Sequence, residues 1–232
     1  MEKLYEGKAK EVFKTDVDNE VIIRYKDDAT AGNGEKKDVF EGKGPLNLAI
    51  TTLVFEKLKK EGIPTHFIKT LNERDMLVKK VVILPLEVIV RNISAGSFAK
   101  RYGVEEGIVF HKPIFEISYK NDDLGDPLMC EDHAIALGFI TKEEYDYIKN
   151  MTLKINKLLQ KIFLEIRLKL VDFKIEFGKD REGNILLADE ISPDTCRLWD
   201  VETNKKFDKD IFRRDLGNLI EGYGEVLDRL RG

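Results

Sequence analysis

Two stretches in the C-terminal third of the chain hold residue types that could do chemistry. In Leu170-Val171-Asp172-Phe173-Lys174-Ile175-Glu176-Phe177-Gly178, the apolar Val171, Phe173, Ile175 and Phe177 alternate with Asp172, Lys174 and Glu176. That is the period-2 pattern of a strand with one buried face, leaving acid, base and acid in a row on the other. Carboxylates are hard oxygen ligands, and Mg²⁺ usually takes only one or two of them from a protein, completing its shell with phosphate and water. The second stretch, Ala188-Asp189-Glu190-Ile191-Ser192-Pro193-Asp194-Thr195-Cys196-Arg197-Leu198-Trp199-Asp200, adds four more acids and a guanidinium competent for phosphate. The two read as a hairpin, Asp172–Gly178 with Asn184–Ile191, turned by Asp180-Arg181-Glu182-Gly183. A register whose residue numbers sum to an odd value, such as 361, puts Asp172, Lys174, Glu176 and Asp189 on one face. The loop is then Lys179–Glu182. An even sum substitutes Glu190 for Asp189. A strand of this kind alone would be a charged outer face with cross-strand ion pairs; Arg197 nearby argues against that.

Two weaker signals accompany the hairpin. In Tyr5-Glu6-Gly7-Lys8-Ala9-Lys10-Glu11, a glycine with two lysines precedes a strand, where backbone and ammonium groups could meet a triphosphate. Taken alone, the same string is a solvated basic turn. Further on, Arg91 ends an apolar strand and Ala95-Gly96-Ser97 opens a helix. Guanidinium, hydroxyl and helix N-terminal amides could hold an anion there, or Ser97 could simply cap the helix. There is no Walker A string, and His66, His111 and His133 are too isolated for a triad or a zinc site.

Elements to position these residues are plain in the pattern. Strands are expected at Glu11–Phe13, Glu20–Lys26, Met76–Leu84 and Leu86–Arg91. One helix carries Leu46, Ile50, Leu53, Val54 and Leu58, stopped by Gly62 and Pro64. A second opens at the capping box Thr141/Glu144. A last one runs from about Asp210, burying Ile211, Leu216, Leu219, Ile220, Tyr223, Val226, Leu227 and Leu230. The fold class is α+β: a small β-rich lobe over 1–85, a larger α+β lobe over 86–232, and a cleft between them. With 232 residues, 42% hydrophobic and 35% charged, the chain can bury a sizeable core. A net charge of −4 gives no field for nucleic acid. Two distant cysteines, no apolar leader after Met1 and no membrane-length apolar run lead us to expect a cytoplasmic protein that meets no membrane.

Together these strings resemble the phosphoribosylaminoimidazole-succinocarboxamide synthase (SAICAR synthetase) family. The resemblance runs in order along nearly the whole chain: Gly7–Lys10, Asp28–Gly34, Gly42-Lys43-Gly44, Pro85–Arg91, Ala95–Ser97, Asn121–Pro127, Val171–Gly178 and Asp189–Asp200. Leu48 departs from the asparagine expected after Asn47, away from the chemistry. The resemblance implies a nucleotide lobe with a distant likeness to ATP-grasp enzymes. It implies a ligase that joins the carboxylate of carboxyaminoimidazole ribotide (CAIR) to L-aspartate, with ATP and Mg²⁺, through an acyl phosphate. A small-molecule kinase or a non-catalytic nucleotide-binding module are the alternatives. By resemblance, Lys8 and Lys10 hold ATP phosphates, and adenine lies near the lobe connection at Lys79 and Ile83. Glu176 and Asp189 hold Mg²⁺, and Lys174 sits beside the transferring phosphoryl group. Arg91, Ser97 and Arg197 bind CAIR, with Lys120 and Asp126 as further contacts. A homo-oligomer is expected.

Overall fold

The computed structural model describes residues 1–31 and 36–232; Gly32-Asn33-Gly34 of the Asp28–Gly34 string lie outside them. The first sheet is antiparallel, ordered β1-β2-β3-β7-β6. Its strands are β1 (Lys3–Glu6), β2 (Lys10–Lys14), β3 (Glu20–Tyr25), β6 (Phe67–Thr70) and β7 (Asp75–Lys79). Strands β4 (Asp28–Ala31) and β5 (Lys36–Val39) form a separate pair. The second sheet follows the path β11-β10-β9-β12-β13, with β8 and β14 also on β12. It is built from β8 (Val82–Ile83), β9 (Leu86–Ile93), β10 (Val109–Tyr119), β11 (Leu128–Met129), β12 (Leu168–Lys179), β13 (Ile185–Ala188) and β14 (Cys196–Asp200). The protein is α+β.

Twelve-residue β12 is the spine of the second sheet. One edge takes β9 and then β8; the other takes β14 and then β13. Phe173, Ile175 and Phe177 enter one continuous core that also contains Val21, Tyr25 and Met76 of the first sheet. The helix α4 (Lys142–Glu165) packs across this apolar face, opened by the Thr141/Glu144 capping box. It is tied to β9 by a reciprocal buried amide pair, Asn92 with Asn156, at 2.8 and 2.9 Å. Helix α1 (Lys43–Lys60) buries Leu48, Ile50, Val54, Phe55 and Leu58, and lies against the last helix. The sheets are stitched together where Thr65 pairs in parallel with Leu187. Leu187 N donates to Pro64 O at 2.9 Å, and His66 N to Leu187 O at 2.8 Å.

One open choice is decided and three expectations are corrected. The hairpin register, left open by the sequence, is even: Glu176 faces Ala188 and Lys179 faces Ile185. Strand β12 runs through Lys179 and the turn is made by 180–184, because Asp180 accepts from the amides of Glu182 and Asn184, which closes the loop late. The expected strand Met76–Leu84 is two strands, β7 and β8, which cross from one sheet to the other. The C-terminal helix is not continuous from Asp210. A single turn, α5 (Asp210–Arg213), ends before Asp215, whose φ is 53°, and α6 (Leu219–Arg231) restarts at the cap Asn218. Leu216 falls in the break and is exposed rather than buried.

Gly44 marks a close approach: a Cβ there would lie 2.6 Å from Tyr25 O and 3.0 Å from Lys26 O, both backbone atoms. Gly44→Ala should therefore destabilise the fold by about 1–3 kcal/mol. Urea denaturation checks this, and an unchanged midpoint would show that α1 can shift freely.

Candidate functional site

The polar face of β12 lies in register with its neighbours. Arg91 of β9 and Arg197 of β14 both stand opposite Asp172, while Ile89 stands opposite Lys174. The result is a charged surface with two distinct ends.

At one end, two guanidiniums share one carboxylate. Asp172 is buried and accepts from Arg197 Nη1 at 2.9 Å and from Arg91 Nη1 at 3.3 Å. Arg91 also donates through Nε to Glu116 Oε2 at 2.7 Å and through Nη2 to Ser97 Oγ at 3.2 Å. Arg197 Nε donates to Asp210 Oδ2 at 3.0 Å. Ser97 is not the helix cap. Helix α2 (Gly96–Tyr102) has Ala95 at its N-cap with no side-chain bond, so the Ser97 hydroxyl is left to face Arg91. Gly96 has φ of 52°, and a Cβ there would overlap the Arg197 guanidinium. Only glycine lets the helix start and the arginine occupy the same place.

At the other end, lysines and carboxylates interleave. Lys174 Nζ bonds Glu87 Oε1 at 2.8 Å and Glu176 Oε1 at 3.1 Å, and Lys120 pairs with Glu176. Lys10 of β2 pairs with Asp189 and reaches Glu190 Oε1 at 2.6 Å. The even register alone would have selected Glu190. However, β13 stops at Ala188, and Asp189 has φ of 58°, which breaks the alternation and brings both acids to Lys10. Burial opposes the charge on Lys10, but Asp189 and Glu190 prevail and hold its ammonium well above the usual lysine range. Lys174 is likewise raised against burial, by Glu176, Glu87 and Asp189. Asp189 is held well below the usual carboxylate range despite burial, by Lys10 and Lys174.

Other expected residues stand apart from these ends. Lys8 bonds Asp122 Oδ1 at 2.6 Å, and both side chains are exposed. Asp126 closes its own turn by accepting from Asn121 N at 2.8 Å. Lys79 ends β7, and Ile83 sits on β8 opposite Gly178, both on the connection between sheets. Sequence reasoning missed Glu87 and Glu116, which face the site only because β9 and β10 pair as they do. It also missed the buried trio in which Lys43 Nζ and Tyr223 OH each bond Asp194 at 2.6 Å. The Gly42-Lys43-Gly44 string was the available signal for that trio.

Glu176 and Asp189 are the donors that suit a divalent cation. Among the described residues no cluster of three or more His, Cys, Asp or Glu is arranged to hold a metal. Two carboxylates flanked by lysines instead match a cation that completes its shell on phosphate oxygens.

The SAICAR synthetase family model matches residues 3–230. The chain belongs to the SAICAR synthetase family. It is 75% identical over its full length to the phosphoribosylaminoimidazole-succinocarboxamide synthase of Finegoldia magna, covering all of that protein. Among solved SAICAR synthetases, the Ehrlichia chaffeensis enzyme superposes with a TM-score of 0.97 at 50% identity, covering 99% of this chain and 98% of that one. A SAICAR synthetase in complex with ADP superposes at 0.95 with 48% identity, covering 97% and 96%. Among the described residues no helix is long and apolar enough to cross a membrane.

Two outcomes follow from this geometry. Gly96→Ala should push Arg197 off Asp172 and weaken binding of a phosphorylated substrate on the order of tenfold or more with ATP affinity retained. Separate titrations of each ligand read this, and equal loss of both would detach Gly96 from the arginine end. The second outcome concerns Asp208, which is buried and pushed up to about 7, first by burial and then by Asp210. Between roughly pH 4 and its folded value, the folded chain keeps a proton that the unfolded chain has lost, so its stability falls as pH rises through this window. Asp208→Asn should lose less Tm than the parent between about pH 5 and about pH 8; equal losses would place the titration elsewhere.

Proposed function

We propose that this chain is an ATP-dependent carbon–nitrogen ligase that joins the carboxylate of CAIR to L-aspartate, giving SAICAR, ADP and phosphate. The observation that carries the reading is the two-ended face of β12. Paired guanidiniums at Asp172 suit a phosphorylated ribotide. Lysines with carboxylates at Glu176 and Asp189 suit a polyphosphate, and Lys174 stands between them. Family membership and the ADP complex of a relative support the same assignment.

A carboxylate resists an amine until one of its oxygens becomes a leaving group, and phosphorylation by ATP makes it one. The protein's task is then to align three anions and offset their repulsion. Arg91, Ser97 and Arg197 orient the ribotide, and Asp172 holds both guanidiniums in place. Lys10 and Lys8 neutralise phosphate oxygens, Lys8 after leaving Asp122. Lys120 contacts the ribotide carboxylate, and Asp126 fixes the turn that carries it. Lys174 moves with the transferring phosphoryl group, its charge kept by Glu87 and Glu176. Adenine lies at the connection marked by Lys79 and Ile83. Glu176 and Asp189 would hold Mg²⁺, which supplies charge neutralisation on the phosphates when bound. The CAIR carboxylate attacks the γ-phosphorus and ADP leaves. The aspartate amine then displaces phosphate from the acyl phosphate.

Purified chain with ATP, Mg²⁺ and CAIR should release ADP in proportion to added L-aspartate. ADP release that ignores aspartate would mean a kinase, and nucleotide binding without turnover a non-catalytic module. Asp189→Asn, which removes charge and keeps shape, should cost several kcal/mol of transition-state stabilisation, roughly a hundredfold or more in kcat. A parent-like kcat at moderate Mg²⁺ would move the metal to Glu190.

A further inference from the structure

Five cations line the two ends described above and Lys43 lies in the buried trio, and each of the six has a carboxylate within 4 Å. Lys10 has Asp189 and Glu190, Lys43 has Asp194, Lys120 has Glu176, and Lys174 has Glu87 and Glu176. Arg91 has Glu116 and Asp172, and Arg197 has Asp172 and Asp210. Lys209 differs. It is half-buried, and among the described residues its ammonium makes neither a hydrogen bond nor an ion pair. The charges nearest in effect are Asp194 and Glu190 on the attractive side and Arg213 and Lys43 on the repulsive side. Both Asp194 oxygens are already taken, by Lys43 and Tyr223. Burial accordingly presses the Lys209 ammonium below the usual lysine range.

Its position is set by backbone. Lys209 N donates to Pro193 O at 3.0 Å, which pins it to the 190–197 loop, and Arg213 N donates to Lys209 O at 2.9 Å. Lys209 and Arg213 therefore share one face of a helical turn. Arg213 Nη1 bonds Asp210 Oδ1 at 2.7 Å, and Asp210 also holds Arg197. Lys209 thus stands against the loop that carries Glu190 and Asp194, and one residue from the acid that braces Arg197. On the ligase reading, the amine must reach an acyl carbon held between Lys10 and Arg197, the two ends that the 190–197 loop joins. An unpaired half-buried cation is costly to the fold by itself; an incoming anion offsets that cost.

We propose that Lys209 receives a carboxylate of the amino-acid cosubstrate, with Arg213 supplying the second cation that a dicarboxylate requires. This rests on the ligase reading above. The site would select a small dicarboxylic amino acid by charge and leave its amine unpaired and free to attack.

The test is steady-state kinetics of the full chain with CAIR, ATP and Mg²⁺, comparing the parent with Lys209→Met, Lys209→Arg and Arg213→Gln. The expected result is a KM for L-aspartate raised about tenfold or more in Lys209→Met, as befits loss of one charge-assisted contact, with the KM values for ATP and CAIR within about twofold of the parent. Lys209→Arg should recover much of the loss, and Arg213→Gln should move the same constant. An unchanged KM for aspartate, or one that rises equally with those for CAIR and ATP, overturns the assignment. Thermal melts are run alongside; if Lys209→Met does not fold, Lys209→Arg and Arg213→Gln decide by the same criterion. A parent without aspartate-dependent ADP release would defeat the ligase reading itself, whereas an active parent with an indifferent Lys209 variant defeats only this proposal.

Discussion

Strand β12 must satisfy two environments at once. Its apolar alternates, Phe173, Ile175 and Phe177, are locked into the continuous core under α4, so the residues between them have no choice of side. A slip of one residue would drive Asp172, Lys174 and Glu176 into that core, at the cost of burying unpaired charges. Because β12 is paired along both edges, the same constraint passes to its neighbours. Arg91, Glu87 and Arg197 reach the site because their strands are in register with residues that cannot turn over.

The resulting face is nearly self-neutralised. Most site cations rest against protein carboxylates, which keeps a dense charge cluster compatible with a folded chain. The ammoniums and guanidiniums have positions already fixed by those carboxylates, so an incoming anion would meet them with little reorganisation. Glu87 and Glu116 belong to this scheme as much as the cations they hold.

The acidic hairpin, the capping box at Thr141 and the α+β class were legible in the sequence because each is a local pattern. The hairpin register was not. A two-way choice between Asp189 and Glu190 follows from alternation, and alternation fails where the backbone turns left-handed at Asp189, a conformation no side-chain pattern announces. The break before α6 was hidden for a similar reason: Leu216 falls on the apolar stripe by spacing, while Asp215 and Gly217, both at positive φ, take it out of the helix. Contacts such as Lys43 with Asp194 join residues 151 apart in the chain and are set by tertiary packing alone.

The short parallel stitch between Thr65 and Leu187 joins the two sheets only two residues from Asp189, and His66, buried beside it, adds a wall there. Two backbone hydrogen bonds hold the Pro64–His66 segment against β13 at this point, immediately before Asp189. The Gly7-Lys8 turn, by contrast, is fastened to Asp122 by a solvent-washed ion pair, the sort of contact worth no more than about 1 kcal/mol. The two acids that meet Lys10 therefore sit beside the firmer of these joints, and Lys8 lies on the weaker one.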